Sequence, residues 1–206
     1  MLENLIGSMS TIVLQTQEYL PFLLKVLGVL FAIHLLNTIV QNRLLVLGIY
    51  PRHLSGIPGI IFSPFLHGNF NHLFFNAIPL FVLLDFILIY APTTWKVVVL
   101  AILLLTGSLT WLFGRKAIHV GASGVITGFW SYLVFNMYQE ASLTSVILGV
   151  LCVYYFAGIF IGIFPRDKGT SWEGHLFGLA AGIITAWSLN DAAFGPSFYN
   201  FFNRLI

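Results

Sequence analysis

Between Tyr19 and Leu189 the chain is a succession of apolar runs with short polar breaks between them. Each run is close to the roughly 20 residues that a helix needs to cross a bilayer. That pattern leaves little choice of fold, because such runs must lie in a membrane. Composition agrees: 8% of the residues are charged, against about 25% in soluble domains. The expected fold is an all-α polytopic membrane protein of six transmembrane helices. They fall at about Tyr19 to Val40, Asn71 to Tyr90, Trp95 to Phe113, Ser123 to Glu140, Leu143 to Phe164 and Trp172 to Leu189. Pro21 opens the first of these, and Pro165-Arg166-Asp167-Lys168-Gly169 closes the fifth.

The first run carries Lys25, His34 and Asn37, so part of it faces protein or an interface. Gln41 to Phe65 is too long for a simple turn and is still apolar at Ile60, Ile61 and Phe62. It is expected to be a partly buried, membrane-associated loop, and long loops of that kind are often functional. One domain is expected over 1–206, with a core at about 51–189 and a short aromatic-rich tail at 190–206. The net charge of +2 is too small to point to nucleic acid, and the lone Cys152 excludes an intrachain disulfide. Met1 to Gln17 has no basic n-region and carries Glu3, so no signal peptide is expected there.

Polar groups inside spans are costly, about 2.5–3.5 kcal/mol for a central charge on insertion scales, so their placement points to function. Here they gather at three helix beginnings. His67-Gly68-Asn69-Phe70-Asn71-His72, with Asn76 a turn later, opens the second span. Ser123, within Gly121-Ala122-Ser123-Gly124, opens the fourth, and Ser171-Trp172-Glu173-Gly174-His175 opens the sixth. Spans alternate in direction, so these three run parallel and begin on one side of the membrane. The rise of about 1.5 Å per residue then keeps His72, Asn76, Ser123 and His175 within one leaflet.

Gly174, Gly178 and Gly182 form a small-residue stripe, and Gly121, Gly124 and Gly128 form another. If the two faces meet, Ser123 approaches His175, the minimal nucleophile–base pair. His72, Asn76 and the Ser123 N–H would then be the oxyanion donors. Asp85 and Asp191 lie at the other ends of their helices, so a dyad is expected and not a triad. Taken singly, each feature has a plainer reading. Ser123 suits a helix cap, His175 a packed histidine, the glycines helix packing, and His72 and Asn76 interhelical hydrogen bonds. Zinc on His67, His72, His119 and His175 is the competing chemistry, with no HExxH and only Glu173 as a nearby acid.

His72-x-x-x-Asn76, Gly121-Ala122-Ser123-Gly124 and Gly174-His175-Leu176-Phe177-Gly178 with Gly182, in that order, resemble the three signatures of rhomboid intramembrane serine proteases. The stretch Pro51-Arg52, then Gly56 to His67, is similar to that family's first loop. The resemblance covers roughly Pro51 to Trp187. It implies a six-helix rhomboid-like bundle, Ser123 as nucleophile, His175 as general base, and His72, Asn76 and the Ser123 amide as oxyanion hole. Gly121, Gly124 and Gly178 would support the site, and His67 would sit near its mouth. It also implies transmembrane protein substrates, no cofactor or metal, and a bacterial inner membrane with the serine opening outward. A non-catalytic rhomboid-like protein that binds transmembrane helices is the alternative.

The chain departs from the resemblance in two places. Thr127 replaces an aromatic residue that packs on the histidine, which leaves Trp130 or a hydrogen bond to orient His175. Pro51-Arg52 replaces a Trp-Arg pair in the first loop. Arg43, Arg52, Arg115, Lys116, Arg166 and Lys168 fall on the serine side, with only Lys96 and Arg204 opposite. By the positive-inside rule that distribution argues against an outward-facing serine, the opposite of what the resemblance implies.

Overall fold

The computed structural model describes residues 2–140, 142–161, 164 and 171–206. Nine α-helices occur in the described residues: α1 (Leu2–Ile39), α2 (Gly59–Phe62), α3 (Phe70–Tyr90), α4 (Trp95–Phe113), α5 (Ser123–Glu140), α6 (Leu143–Phe156), α7 (Gly158–Ile161), α8 (Trp172–Asn190) and α9 (Gly195–Asn203). Short 3₁₀ turns at Arg43–Leu47, Leu54–Gly56 and Ser63–Phe65 fold the long first loop against the bundle. Gly48, Ile49, Gly56, Gly59 and Ser63 are buried there, in keeping with the expected embedded loop.

Helix α5 is the central post. Every residue from Gly124 to Leu133 is buried, and α3, α4, α6 and α8 all pack on it. It can be enclosed on so many sides because Gly124 and Gly128 let α8 come to backbone contact. Helix α1 stands outside this cluster, packed mainly on α3. Near the far end of α3 the Thr16 hydroxyl donates to Asp85 Oδ2 at 2.7 Å, giving one oxygen of a buried carboxylate a partner.

Two expectations change, and a third is not confirmed. The first helix begins at Leu2, not Tyr19, and runs through Pro21. Proline removes one helical hydrogen bond, but here it does not end the helix. The fifth run breaks at Ala157, with α7 resuming at Gly158; the loop at 165–169 lies outside the described residues. By length and hydropathy α1, α3 and α4 are long and apolar enough to cross a membrane, and α8 with α9 is a fourth if that pair, bent by 116°, is one unit. Among the described residues six spans are therefore not confirmed: α6 is 14 residues long, and α5 is diluted by Ser123, Thr127, Ser131 and Asn136.

The tail is helical. Pro196 sits in the first turn of α9, where its missing N–H costs nothing. Phe198 and Phe202 are buried against Val97 and Ala101 of α4.

Candidate active site

The parallel helices α3, α5 and α8 bring their N-terminal ends to one cavity of ≈ 550 Å³, whose lining includes His72, Asn76, His119, Ser123, Ser171 and His175. All four of the expected nucleophile, base and oxyanion side chains therefore face one space. How each gets there can be followed from the chain.

Asn69 caps α3: its Oδ1 accepts the His72 N–H at 2.8 Å, which starts the helix where His72 and Asn76 project to the same side. Gly121 has φ +113°, in the region glycine tolerates. A β-carbon there would lie 2.7 Å from both Cε1 and Nε2 of His72 and 3.6 Å from Asn76 Nδ2. So Gly121 does not extend the α5 surface toward α8, as the sequence suggested. It makes room for α3 beside the serine loop. The Gly121 N–H donates to Ser63 O at 2.9 Å, which ties that loop to the first loop.

The two glycine faces do meet, through Gly124 and Gly128. A β-carbon at Gly124 would stand 2.9 Å from the Gly174 carbonyl oxygen. One at Gly178 would collide with the Gly124 carbonyl, and one at Gly182 with the Gly128 carbonyl and Ser131 Oγ. Ser131 adds a hydrogen bond across this seam, to Leu179 O at 3.0 Å. Ser123 precedes Gly124, and His175 follows Gly174, so the seam fixes where both residues emerge.

Asn76 is 8% exposed and its Nδ2 has no hydrogen-bond partner. His67 is 1% exposed, with its ring 5.1 Å from that of His72 in a T-shaped contact. It is therefore behind His72 and not at an open mouth. Burial, reinforced by the neighbouring His72 and His34, pushes its pKa down to about 4. His67 thus stays neutral at physiological pH and puts no charge beside His72. The Thr127 hydroxyl donates to Ser123 O at 2.8 Å, one turn back in its own helix. The Trp130 indole N–H donates to Cys152 O at 3.0 Å on α6. Asp191 accepts the Ala193 and Phe194 N–H groups at the opposite end of α8.

Several contacts around the site were not legible in the sequence. Arg52, with φ +57°, donates from Nη1 to the Leu112 and Gly114 carbonyls at 3.1 and 2.8 Å, closing the C-terminus of α4. Trp111 of α4 donates to His53 O at 2.9 Å, so the tryptophan that the first loop lacks reaches it from a different helix. Buried Glu173 pairs with Arg115 at 3.4 Å. Among the described residues no three His, Cys, Asp or Glu side chains are placed to share a metal.

Fold and site together define a polytopic helical membrane protein whose polar cavity opens at the N-termini of three parallel helices. The Rhomboid domain family model matches residues 54–191, and the chain belongs to the rhomboid family. It is 35% identical over 179 residues to uncharacterised proteins of Mycobacterium tuberculosis and Mycobacterium bovis, covering 82% of this chain and 74% of each relative. A Mycobacterium leprae protein, also uncharacterised, is 30% identical over 82% of this chain and 70% of its own length. A putative rhomboid protein of Acanthamoeba polyphaga mimivirus is 27% identical over 63% of this chain and 74% of the relative.

Proposed function

We propose that this chain is an intramembrane serine protease that cleaves transmembrane or membrane-proximal segments of other membrane proteins with a Ser123–His175 dyad. The observation that carries the reading is the Asn76 side-chain amide. It is a buried donor without a partner, in the cavity that Ser123, His72 and His175 also line. Leaving such a group unsatisfied costs about 1–3 kcal/mol. A negative oxygen formed during reaction is a partner that would repay it only when needed.

In this mechanism Ser123 Oγ bonds to the scissile carbonyl carbon as its proton passes to His175. The carbonyl electron pair moves onto oxygen, which accepts from Asn76, His72 and the Ser123 N–H, one of the helix-start amides without an intrahelical acceptor. The intermediate collapses, the C–N bond breaks, and His175 hands its proton to the leaving nitrogen. Water repeats the sequence on the acyl-enzyme, releasing a carboxylic acid and restoring the serine. The chemistry calls on no cofactor.

A fluorophosphonate probe tests this directly. Purified wild-type protein should take the label and Ser123→Ala should not. No label on a folded wild type would overturn the reading in favour of a non-catalytic protein that binds transmembrane helices. Asn76→Ala should lower turnover of a cleaved membrane substrate by about 10²–10³, the usual loss for one oxyanion donor, with KM little changed. A rate within threefold of wild type would remove Asn76 from the oxyanion hole.

We place the protein in a bacterial cell membrane with the cavity toward the outside. Arg52 on α4 carbonyls and Arg115 beside Glu173 hold structural positions on that side, which weakens their value as topology signals. Cys152 is fully buried, so native background labelling is low. In intact cells an impermeant maleimide should label Lys116→Cys and spare Lys96→Cys. The opposite pattern would invert the topology.

A further inference from the structure

Two segments carry the proposed dyad, the loop before α5 and the first turn of α8, and one side chain joins them. His119 is four residues ahead of Ser123 and 5% exposed. Its main chain is fixed by a reciprocal pair with Ile49: Ile49 N–H to His119 O at 3.0 Å, and His119 N–H to Ile49 O at 2.8 Å. Its ring reaches Arg115 O through Nε2 at 3.0 Å and Ser171 Oγ through Nδ1 at 2.6 Å.

The proton positions follow. A carbonyl oxygen only accepts, so Nε2 carries the hydrogen. In the neutral ring Nδ1 is then the acceptor, and the Ser171 hydroxyl donates to it. Ser171 is also the cap of α8: its Oγ and its carbonyl oxygen receive the Gly174 N–H at 3.3 and 3.1 Å. The next residue is His175. A continuous chain therefore runs from the first loop, through the His119 ring and Ser171, to the turn that presents the base. Arg115 adds a parallel tie, its N–H and its side chain both reaching Glu173 Oε1 at 3.4 Å.

We propose that His119 and Ser171 are positioning residues, whose hydrogen bond sets the separation and alignment of Ser123 and His175. The role rests on the protease reading above. The glycine seam holds the two helices from Gly124 and Gly174 onward, and the loop before α5 and the cap of α8 lie outside it. The His119–Ser171 bond joins those two segments. Neither residue touches the reacting atoms in this scheme; they act through Ser123 and His175.

Ser171→Gly is the discriminating variant. Glycine is an acceptable helix cap, and the backbone bond to Gly174 needs no side chain, so α8 keeps its start while the link to His119 is lost. Fluorophosphonate labelling of the full-length protein in detergent would be followed for wild type, Ser123→Ala, Ser171→Gly and Ser171→Thr, alongside Tm. Ser171→Gly should lower the labelling rate at saturating probe by roughly tenfold to a hundredfold, the scale of a small misplacement. The half-saturating probe concentration and Tm should stay near wild type, and Ser171→Thr should recover the rate. Labelling of Ser171→Gly at the wild-type rate would overturn the proposal, with the protease reading intact. So would a threonine variant as slow as the glycine one, or a rate loss that follows Tm. A folded wild type that takes no label would overturn the protease reading and this role with it.

Discussion

His175→Ala is expected to reduce cleavage of a single-span reporter helix in reconstituted vesicles by roughly a thousandfold or more, and Ser123→Ala to reduce it to a similar floor. In nucleophile–base systems each member alone is nearly ineffective, so single losses approach the loss of the whole unit. The double variant should therefore be no slower than either single one. That non-additivity is the stronger test, because two independent structural defects would multiply. The cavity brings both side chains to one space, and the seam beneath them is backbone against backbone. A residual rate above about a tenth of wild type in His175→Ala would remove the histidine from its role as base. A double variant far slower than both singles would show that they do not act as a unit.

Gly178→Val should be the most damaging substitution outside the polar residues. Its β-carbon would meet the carbonyl oxygen of Gly124 and lie 2.8 Å from the carbonyl carbon and 3.2 Å from the α-carbon. All three are main-chain atoms of a helix enclosed by its neighbours, so no rotamer change relieves the contact. Helices α5 and α8 would have to separate, at a cost of about 3 kcal/mol, the upper part of the usual overpacking range. Separation would also carry His175 away from Ser123. Thermal unfolding in detergent should show a large fall in Tm, and fluorophosphonate labelling should fail at temperatures where the wild type reacts. Gly28→Ala is the control, since nothing lies within 4 Å of its β-carbon position; it should be neutral or slightly stabilising. A Gly178→Val protein with wild-type Tm would mean that the seam is not packed as described.

Much of the site was readable because its determinants are local. A serine between glycines at the start of an apolar run, a histidine beside a four-residue glycine repeat, and an i, i+4 His–Asn pair each declare a helix face. Parallel direction then follows from counting spans. What the sequence concealed depends on contacts between distant segments. Gly121 looks like one more small residue on α5, and only the folded loop shows that it faces His72. Arg52, Trp111 and His119 act by bonding to carbonyls or a hydroxyl elsewhere in the chain, which no periodicity records. The helix boundaries were misjudged for a different reason. Pro21 suggests the opening of the first span, although a single lost hydrogen bond need not interrupt a long apolar helix. The run after Leu143 was read as continuous, although Ala157-Gly158 interrupts it.

The order of synthesis gives the α5–α8 seam a further meaning. Ser123 emerges from the ribosome roughly 50 residues before His175, and α5 can insert with α3 and α4 beside it while α8 is still unmade. During that interval the proposed nucleophile has no base, and the groove formed by Gly124 and Gly128 is open. Arrival of α8 fills the groove and completes the pair in one docking event. On the proposed reading the dyad is complete only once α8 has docked on α5, so the chain up to α5 carries Ser123 without its base.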